Sequence, residues 1–134
     1  MKALLKSILL AAALLASLSA HAQKDGYDVF IPITKYMAQG NAEALSAWFA
    51  QNLEIGIITQ ENTASRSQAR QMMKVFFDTY TPRSFEVTHS ASRANMKYVL
   101  GTMNAGGESF LVTIFVTSKD EQCKIQQFKI ERTL

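Results

Sequence analysis

The sequence SRSQARQMMKVFFDTY spans residues 65–80 and has the spacing of one amphipathic helix. Its apolar residues recur every three or four positions, which places them on one side of a helix. Ser65 and Gln68 have the spacing of a capping box, and Thr81-Pro82 stops the helix. We therefore predict a helix whose aromatic side needs an apolar surface to bury against. Its apolar residues are Ala69, Met72, Met73, Phe76, Phe77 and Tyr80.

Four strand-like segments follow this helix and can supply that surface. Apolar and polar residues alternate along each segment, as they do in a strand. In the last segment, however, the apolar residues change from one alternating set of positions to the other. A bulge near Gln126-Gln127 would restore one inward face there. The third segment is apolar on both faces, which suits a central strand. The predicted strands are Ser84–Ser92, Met96–Met103, Ser109–Ser118 and Cys123–Arg132.

Two short helices and a strand are predicted ahead of residue 65. The first helix starts near Val29 to Ile31 and ends at Gly40. Asn41 then caps a second helix over Ala42–Ala50. Leu53–Ile58 has the pattern of a strand, and Thr59–Ala64 is a polar loop that leaves room for a short returning strand. The order ααβ-αββββ is α+β and argues against a doubly wound nucleotide-binding sheet.

Residues 1–22 have the pattern of a signal peptide. Lys2 and Lys6 precede an apolar run, Ile8–Leu18, and Ala20-His21-Ala22 fits a cleavage site. The run is too short for a bilayer of roughly 30 Å, which needs about 20 apolar residues. We therefore expect an exported protein, periplasmic or secreted, with one domain over residues 23–134 and no membrane span after cleavage.

Charge and residue counts exclude several function classes. The signal segment removes two of the 14 basic residues and none of the 11 acidic ones, so the net charge falls from +3 to about +1. That balance does not support a nucleic-acid partner.

Cys123 is the only cysteine, so no internal disulfide can form, and we expect a half-buried strand thiol. His89 is the one histidine after residue 22, so zinc sites built from several histidines or cysteines are excluded within one chain. No metal site and no cofactor is predicted.

The arrangement of helices and strands resembles the nuclear-transport-factor-2-like superfamily, also called the cystatin-like cone, over residues 27–133. Three stretches carry a closer resemblance: DVFIPITKYMAQGNAEALSAWFAQNLEI, the run from residue 65 to 98, and GGESFLVTIFV with KIQQFKIER. They look like a short secreted Bacteroidota family, domain-of-unknown-function family 4783. The resemblance implies one helix packed on a strongly curved antiparallel sheet, and it implies export. It implies no particular chemistry, because the superfamily includes isomerases, dehydratases and non-catalytic binding modules.

Three polar residues are candidates for catalysis in such a cone. His89 shares parity with Phe85 and Val87, so we expect it to face the helix-covered cavity as a base, or else to be a satisfied core histidine. Tyr98 and Asp78 are the other candidates, and burial as an ordinary core tyrosine is the competing interpretation for Tyr98. The residues expected to line the cavity are Met73, Phe76, Phe77, Tyr80, Phe85, Val87, Tyr98, Val112 and Ile114.

These observations leave three hypotheses for function. The first is a non-catalytic module that binds a small apolar ligand or a partner protein and forms a homodimer through the outer sheet face at Leu111 and Phe115. The alternative is an isomerase- or dehydratase-like enzyme with His89 as base. The third is an immunity or adaptor protein whose basic helix face meets an acidic partner, although a solvated helix face is the favoured interpretation because such rows are routine. The basic face consists of Arg66, Arg70 and Lys74.

Overall fold

The computed structural model describes residues 29–119 and 122–133. The compact unit that carries the sheet begins at Pro32. The predicted signal peptide, residues 1–22, lies outside the described residues. The helices are α1 (Phe30–Gln39), α2 (Ala42–Ser46) and α3 (Arg66–Thr79). The strands are β1 (Phe49–Ile57), β2 (Gln60–Ser65), β3 (Pro82–Arg93), β4 (Met96–Ala105), β5 (Glu108–Lys119) and β6 (Gln122–Arg132).

The six strands form one sheet in the order β2-β1-β6-β5-β4-β3. All neighbours are antiparallel except β1 and β6, which are parallel. The predicted α+β architecture is confirmed, and β2 occupies the stretch where the sequence left room for a returning strand. The ladder between β5 and β6 skips Gln126, which confirms the predicted bulge. Two further bulges in β3, at Arg83 and Thr88, and an irregularity between Phe49 and Glu54 in the β1–β6 ladder were not predicted. The bulges bend their strands and help to curve the sheet.

Helix α3 begins and ends where its sequence predicts. The Gln68 backbone N–H donates to Ser65 Oγ at 3.2 Å, and the Ser65 N–H donates to Gln68 Oε1 at 3.0 Å. This reciprocal pair satisfies backbone donors that have no partner inside the helix. At the other end, Tyr80 adopts an extended conformation two residues before Pro82, which cannot continue a helix.

The aromatic side of α3 packs into the core, as predicted. Phe76 and Phe77 are only 3% and 5% exposed. The Phe76 ring meets Phe110 of β5 edge to face, with ring centroids 5.3 Å apart. Tyr80 meets the same ring at 5.2 Å. Such pairs add about 0.5–1.5 kcal/mol each beyond the apolar area that they bury. They attach α3 to the middle of the sheet.

The two faces of β5 explain its central position. One face is fully buried, and the other, which carries Leu111 and Phe115, is half-buried. The strand therefore has apolar side chains on both sides of the sheet, as its sequence predicts. The buried inner-face residues are Phe110, Val112, Ile114 and Val116.

The second predicted helix is too long. Helix α2 ends at Ser46, and the chain enters β1 at Phe49, not at Leu53. Phe49 pairs with Ile125 of β6 and its ring lies 6.1 Å from that of Phe128. The Ile125 N–H also donates to the Trp48 carbonyl at 2.7 Å. Helix propensity over these residues is weak, and pairing with a strand far along the chain outweighs it.

Replacing Phe110 tests the contact that joins α3 to the sheet. We expect Phe110→Ala to lower the free energy of unfolding by about 3–5 kcal/mol, because it removes the shared partner of two rings and leaves a cavity. Urea denaturation followed by circular dichroism measures the change. Phe115→Ala is the matched control in the same strand, and its cost should be clearly smaller because Phe115 is only half-buried. Equal costs would contradict the assignment of the inner face.

Candidate functional site

An open groove of about 660 Å³ lies between the β1–β2 hairpin and one flank of α3. Ile57 and Ile58 line it at the hairpin turn, and Ala64 and Phe76 line it with buried side chains. Val75 also lines it and is 57% exposed, although it is a large apolar residue. A volume of this size suits a small organic molecule or several side chains of a partner.

The groove is lined by apolar side chains and neutral polar groups. None of the described residues that line it is an aspartate, glutamate, histidine, lysine, arginine or cysteine. Tyr80 lies at one end, and its hydroxyl accepts a hydrogen bond from Arg132 at 2.8 Å. A charged ligand group would therefore lose water without meeting a countercharge inside the groove. The neutral polar groups belong to Gln60, Asn62, Thr63, Gln68, Gln71 and Thr79.

Ile58 lines the groove in a strained backbone conformation. Its φ is +61°, in the left-handed region that β-branched residues rarely adopt. The residue stands first in the two-residue turn between β1 and β2, where hairpins need a positive φ and usually place Gly or Asn. Strain of about 1–3 kcal/mol per residue tends to persist at ligand-binding positions. The side chain of Ile58 is thus kept where a glycine would fit the backbone better.

The prediction that His89 faces the helix-covered cavity is wrong. Val87 pairs with Gly101 on the inner face, but His89 pairs with Leu100 because the bulge at Thr88 adds one residue. A shift of one residue moves every following side chain to the other face. His89 is consequently exposed on the outer face, with Nδ1 3.1 Å from the Thr88 carbonyl oxygen.

The other two catalytic candidates are not placed together with His89 in a cavity. Tyr98 pairs with Phe115 on the outer face and is half-buried, whereas the inner face of β4 carries the buried Val99 and Met103. Its placement on the cavity side is therefore also wrong. The strand is apolar on both faces, so alternation alone could not select the inner one. Asp78 is exposed on α3, beside Lys74 in a different, largely polar hollow.

The residues expected to line a cavity inside the cone divide between the packed core and the surface. Phe76 and Tyr80 lie on the wall of the observed groove. Phe85 is half-buried, with its ring folded over Gly101, and Val87 is 41% exposed. Apart from Tyr98, the other residues of the predicted set are buried in the core: Met73, Phe77, Val112 and Ile114.

The sequence pattern did not predict most of the residues that line the groove. Ile57 and Ile58 were assigned to a strand, and the polar stretch that follows them is a strand of its own. One signal was available in Val75, an apolar residue that lies off the apolar stripe of α3 and close to Lys74. A large apolar residue on a polar helix face is a sign of a binding surface when others adjoin it.

The basic face predicted on α3 is not a free cationic row. The Arg66 Nε–H donates to the Phe49 carbonyl at 2.9 Å, so this side chain holds the start of β1. Arg70 and Lys74 border a hollow of about 700 Å³ together with Glu43 and Asp78. The mixture of signs there does not favour an acidic partner.

The outer face carries an ion-pair cluster beside its apolar residues. Lys129 Nζ lies 2.9 Å from a Glu61 carboxylate oxygen and 3.3 Å from one of Glu131. The hydrogen bond to Glu61, and secondarily the one to Glu131, raises the pKa of Lys129 above its ordinary value. Glu54 lies beside this cluster on β1, next to Thr63 in the register. On this part of the face, the carboxylates of Glu54, Glu61 and Glu131 therefore outnumber the single ammonium group of Lys129.

The cysteine and metal predictions concern residues away from the groove. Cys123 is half-buried in β6, as predicted, and shares a hydrogen bond with Ser118 Oγ at 2.8 Å. Within residues 29–119 and 122–133, no cluster of three potential metal-binding side chains occurs. Over the same residues, no helix has the length and apolar character needed to cross a membrane.

Comparisons with known proteins agree with the fold. A family model described as a domain of unknown function, DUF4783, matches residues 30–131. A DUF4783 protein from Bacteroides uniformis superimposes with a TM-score of 0.77 at 22% identity, covering 80% of this chain and 99% of the other. An NTF2-like protein of unknown function from Cytophaga hutchinsonii gives 0.58 at 9%, covering 79% and 88%. A candidate dehydratase of the NTF2-like family from Streptomyces avermitilis gives 0.59 at 12%, covering 78% and 90%. No curated protein matches.

Replacing Ile58 tests whether its positive φ lowers the free energy of unfolding. We expect Ile58→Asn to leave the free energy of unfolding unchanged or raise it by up to about 1 kcal/mol, because asparagine tolerates a positive φ. Ile57→Asn, one residue earlier in β1, should instead lower it, because that position gains no relief from strain. Urea denaturation of both variants checks the contrast. Equal destabilisation by the two substitutions would contradict the strain assigned to Ile58.

Proposed function

We propose that this chain, which belongs to the DUF4783 family, is a non-catalytic binding module that holds an uncharged, largely apolar ligand in the groove between α3 and the β1–β2 hairpin. The observation that carries the proposal is the composition of the groove. It exposes Val75, and its described lining holds no carboxylate, imidazole, thiol or amine that could transfer a proton near neutral pH.

The enzyme alternative has less support. It needs His89 in a cavity within reach of a carboxylate or a tyrosine, but His89 lies exposed on the outer face. The likeness to a candidate dehydratase is at 12% identity, which concerns the fold alone. Binding therefore fits the arrangement of side chains better than catalysis.

Nile red, a neutral dye that fluoresces in apolar sites, is the probe for the groove. We expect Val75→Glu to weaken Nile red binding at least fivefold, because the variant places a carboxylate in an uncharged groove. Fluorescence titration measures the dissociation constant.

Val87→Glu is the matched control, since it makes the same change at a valine that is exposed but lies on β3, outside the groove lining. Val87→Glu and His89→Ala should both stay within about twofold of the parent affinity, less than 0.5 kcal/mol. An unchanged affinity for Val75→Glu would overturn the proposal.

We also propose that the protein forms a homodimer through its outer sheet face. The support is a set of half-buried apolar residues on neighbouring strands, where Tyr98 pairs with Phe115 and Leu111 lies on the same face. Export through the signal pattern of residues 1–22 is part of the same proposal.

A charge at the centre of that face should separate the two copies. We expect the parent protein to be dimeric at micromolar concentration and Phe115→Glu to be monomeric, because the carboxylate would be buried without a partner. Size-exclusion chromatography with light scattering reports both masses. Val87→Glu, on the inner face, is expected to remain dimeric. A monomeric parent would rule out the dimer and leave the groove proposal intact.

A further inference from the structure

We infer that the free edge of β2 takes an extended segment of a partner protein as a seventh strand, whose uncharged side chains fill the groove beside α3. This inference rests on the proposed function, because it names the class of molecule that occupies the same groove. Strand addition of this kind draws affinity from main-chain hydrogen bonds and specificity from pockets for alternate side chains.

The backbone of β2 offers unpaired hydrogen-bonding groups along one edge. Among the strands of the described residues, β2 stands at the end of the sheet and has β1 as its one neighbour. Ile57 and Gln60 flank the two-residue turn, and hydrogen-bonded pairs alternate with non-bonded pairs from there on. The N–H and C=O groups of Glu61 and Thr63 therefore point away from β1, toward the position of an added strand.

The two edges of the sheet differ in how well they are protected. The β3 edge begins with Pro82, contains the bulge at Thr88 and ends with Arg93. Proline, bulges and positive charge are the features that keep edge strands from pairing. The β2 edge, Gln60–Ser65, contains no proline or lysine and pairs with β1 without a register shift. Of the two edges, β2 is the less protected, although it is six residues long and carries Glu61.

The edge of β2 is open from both faces of the sheet. Thr63 lines the groove beside α3 and also two smaller hollows on the outer face, of about 250 and 330 Å³. Asn62 lines the groove and one of these hollows. A strand laid along this edge would thus have space for side chains above and below it.

The charges around the edge specify the sequence of the added strand. Side chains that point into the groove meet an uncharged lining and should be apolar. Those that point to the outer face meet Glu54 and Glu61, while Lys129 is shared between Glu61 and Glu131. A basic residue is favoured there. The expected partner segment alternates apolar and basic residues.

The probe is a capped peptide of about seven residues that alternates lysine and valine, the spacing of one strand. We expect it to bind and to displace Nile red, and we expect replacement of the valines by glutamate to weaken binding at least tenfold. Two further isomers carry N-methyl groups either on all valines or on all lysines. Because alternate N–H groups of a strand point to opposite edges, one isomer should lose at least tenfold in affinity and the other should not.

Two measurements on the protein locate the peptide at β2. Hydrogen exchange of the Glu61 and Thr63 amides should slow at least tenfold with saturating peptide and should not slow with Nile red. Glu61→Pro removes an N–H that points away from β1 at a residue outside the groove lining, so the variant should still bind Nile red but lose the peptide. Glu61→Gln keeps that N–H, so this control should bind Nile red unchanged and retain most of the peptide affinity.

The outcomes separate this inference from the proposal on which it rests. Nile red binding that is lost in Val75→Glu, combined with equal effects of the two N-methyl isomers, would overturn the seventh strand and keep the groove. Nile red binding unaffected by Val75→Glu would overturn the groove itself. Amides of Glu61 and Thr63 already protected in the free protein at high concentration would show that a second copy occupies the edge, which also overturns the inference.

Discussion

The contact of Phe76 and Tyr80 with Phe110 is the interaction on which the remaining structure depends. It brings the aromatic side of α3 to the centre of the sheet, where β5 is buried on its inner face. The neighbouring flank of α3 is only partly covered by β2, since Met72 is half-buried and Val75 is 57% exposed. The flank that carries Met72 and Val75 consequently stands beside the β1–β2 hairpin with space between them. The groove is thus a consequence of how the core packs, and it needs no separate loop to form it.

Local signals made much of this fold predictable. The apolar period of α3, its Ser65–Gln68 cap and the phase slip near Gln126 all act within one element, and the structure contains each of them. The errors arose where distant residues decide the outcome. Phe49 leaves the predicted second helix because β6, more than seventy residues later, pairs with it. No local pattern in the sequence contains that partner.

The candidate site was less predictable because face assignments along a strand depend on every residue before them. One extra residue at Thr88 moved His89 from the expected inner face to the outer one. Nothing in the alternation of β3 marks that bulge. The inner face of β4 was equally ambiguous, since Tyr98 and Val99 are both compatible with a core position. Alternation along β3 and β4 alone therefore puts His89 and Tyr98 in a cavity that the structure fills with aliphatic and aromatic side chains.

Three departures from local rules adjoin the groove, whereas the positive φ of Ala94 and the exposed side chains of Val87 and Met96 lie outside its lining. Ile58 holds a positive φ where glycine or asparagine would fit, Val75 exposes an apolar side chain on a polar helix face, and β2 is an edge without a protective proline or lysine. Each feature alone costs stability or risks association, and each is easily removed by one substitution. Sequences are expected to break such rules at functional sites and to obey them elsewhere. Because Ile58, Val75 and the β2 edge all border the same groove, the proposed binding role accounts for these three together, whereas a requirement for stability accounts for none of them.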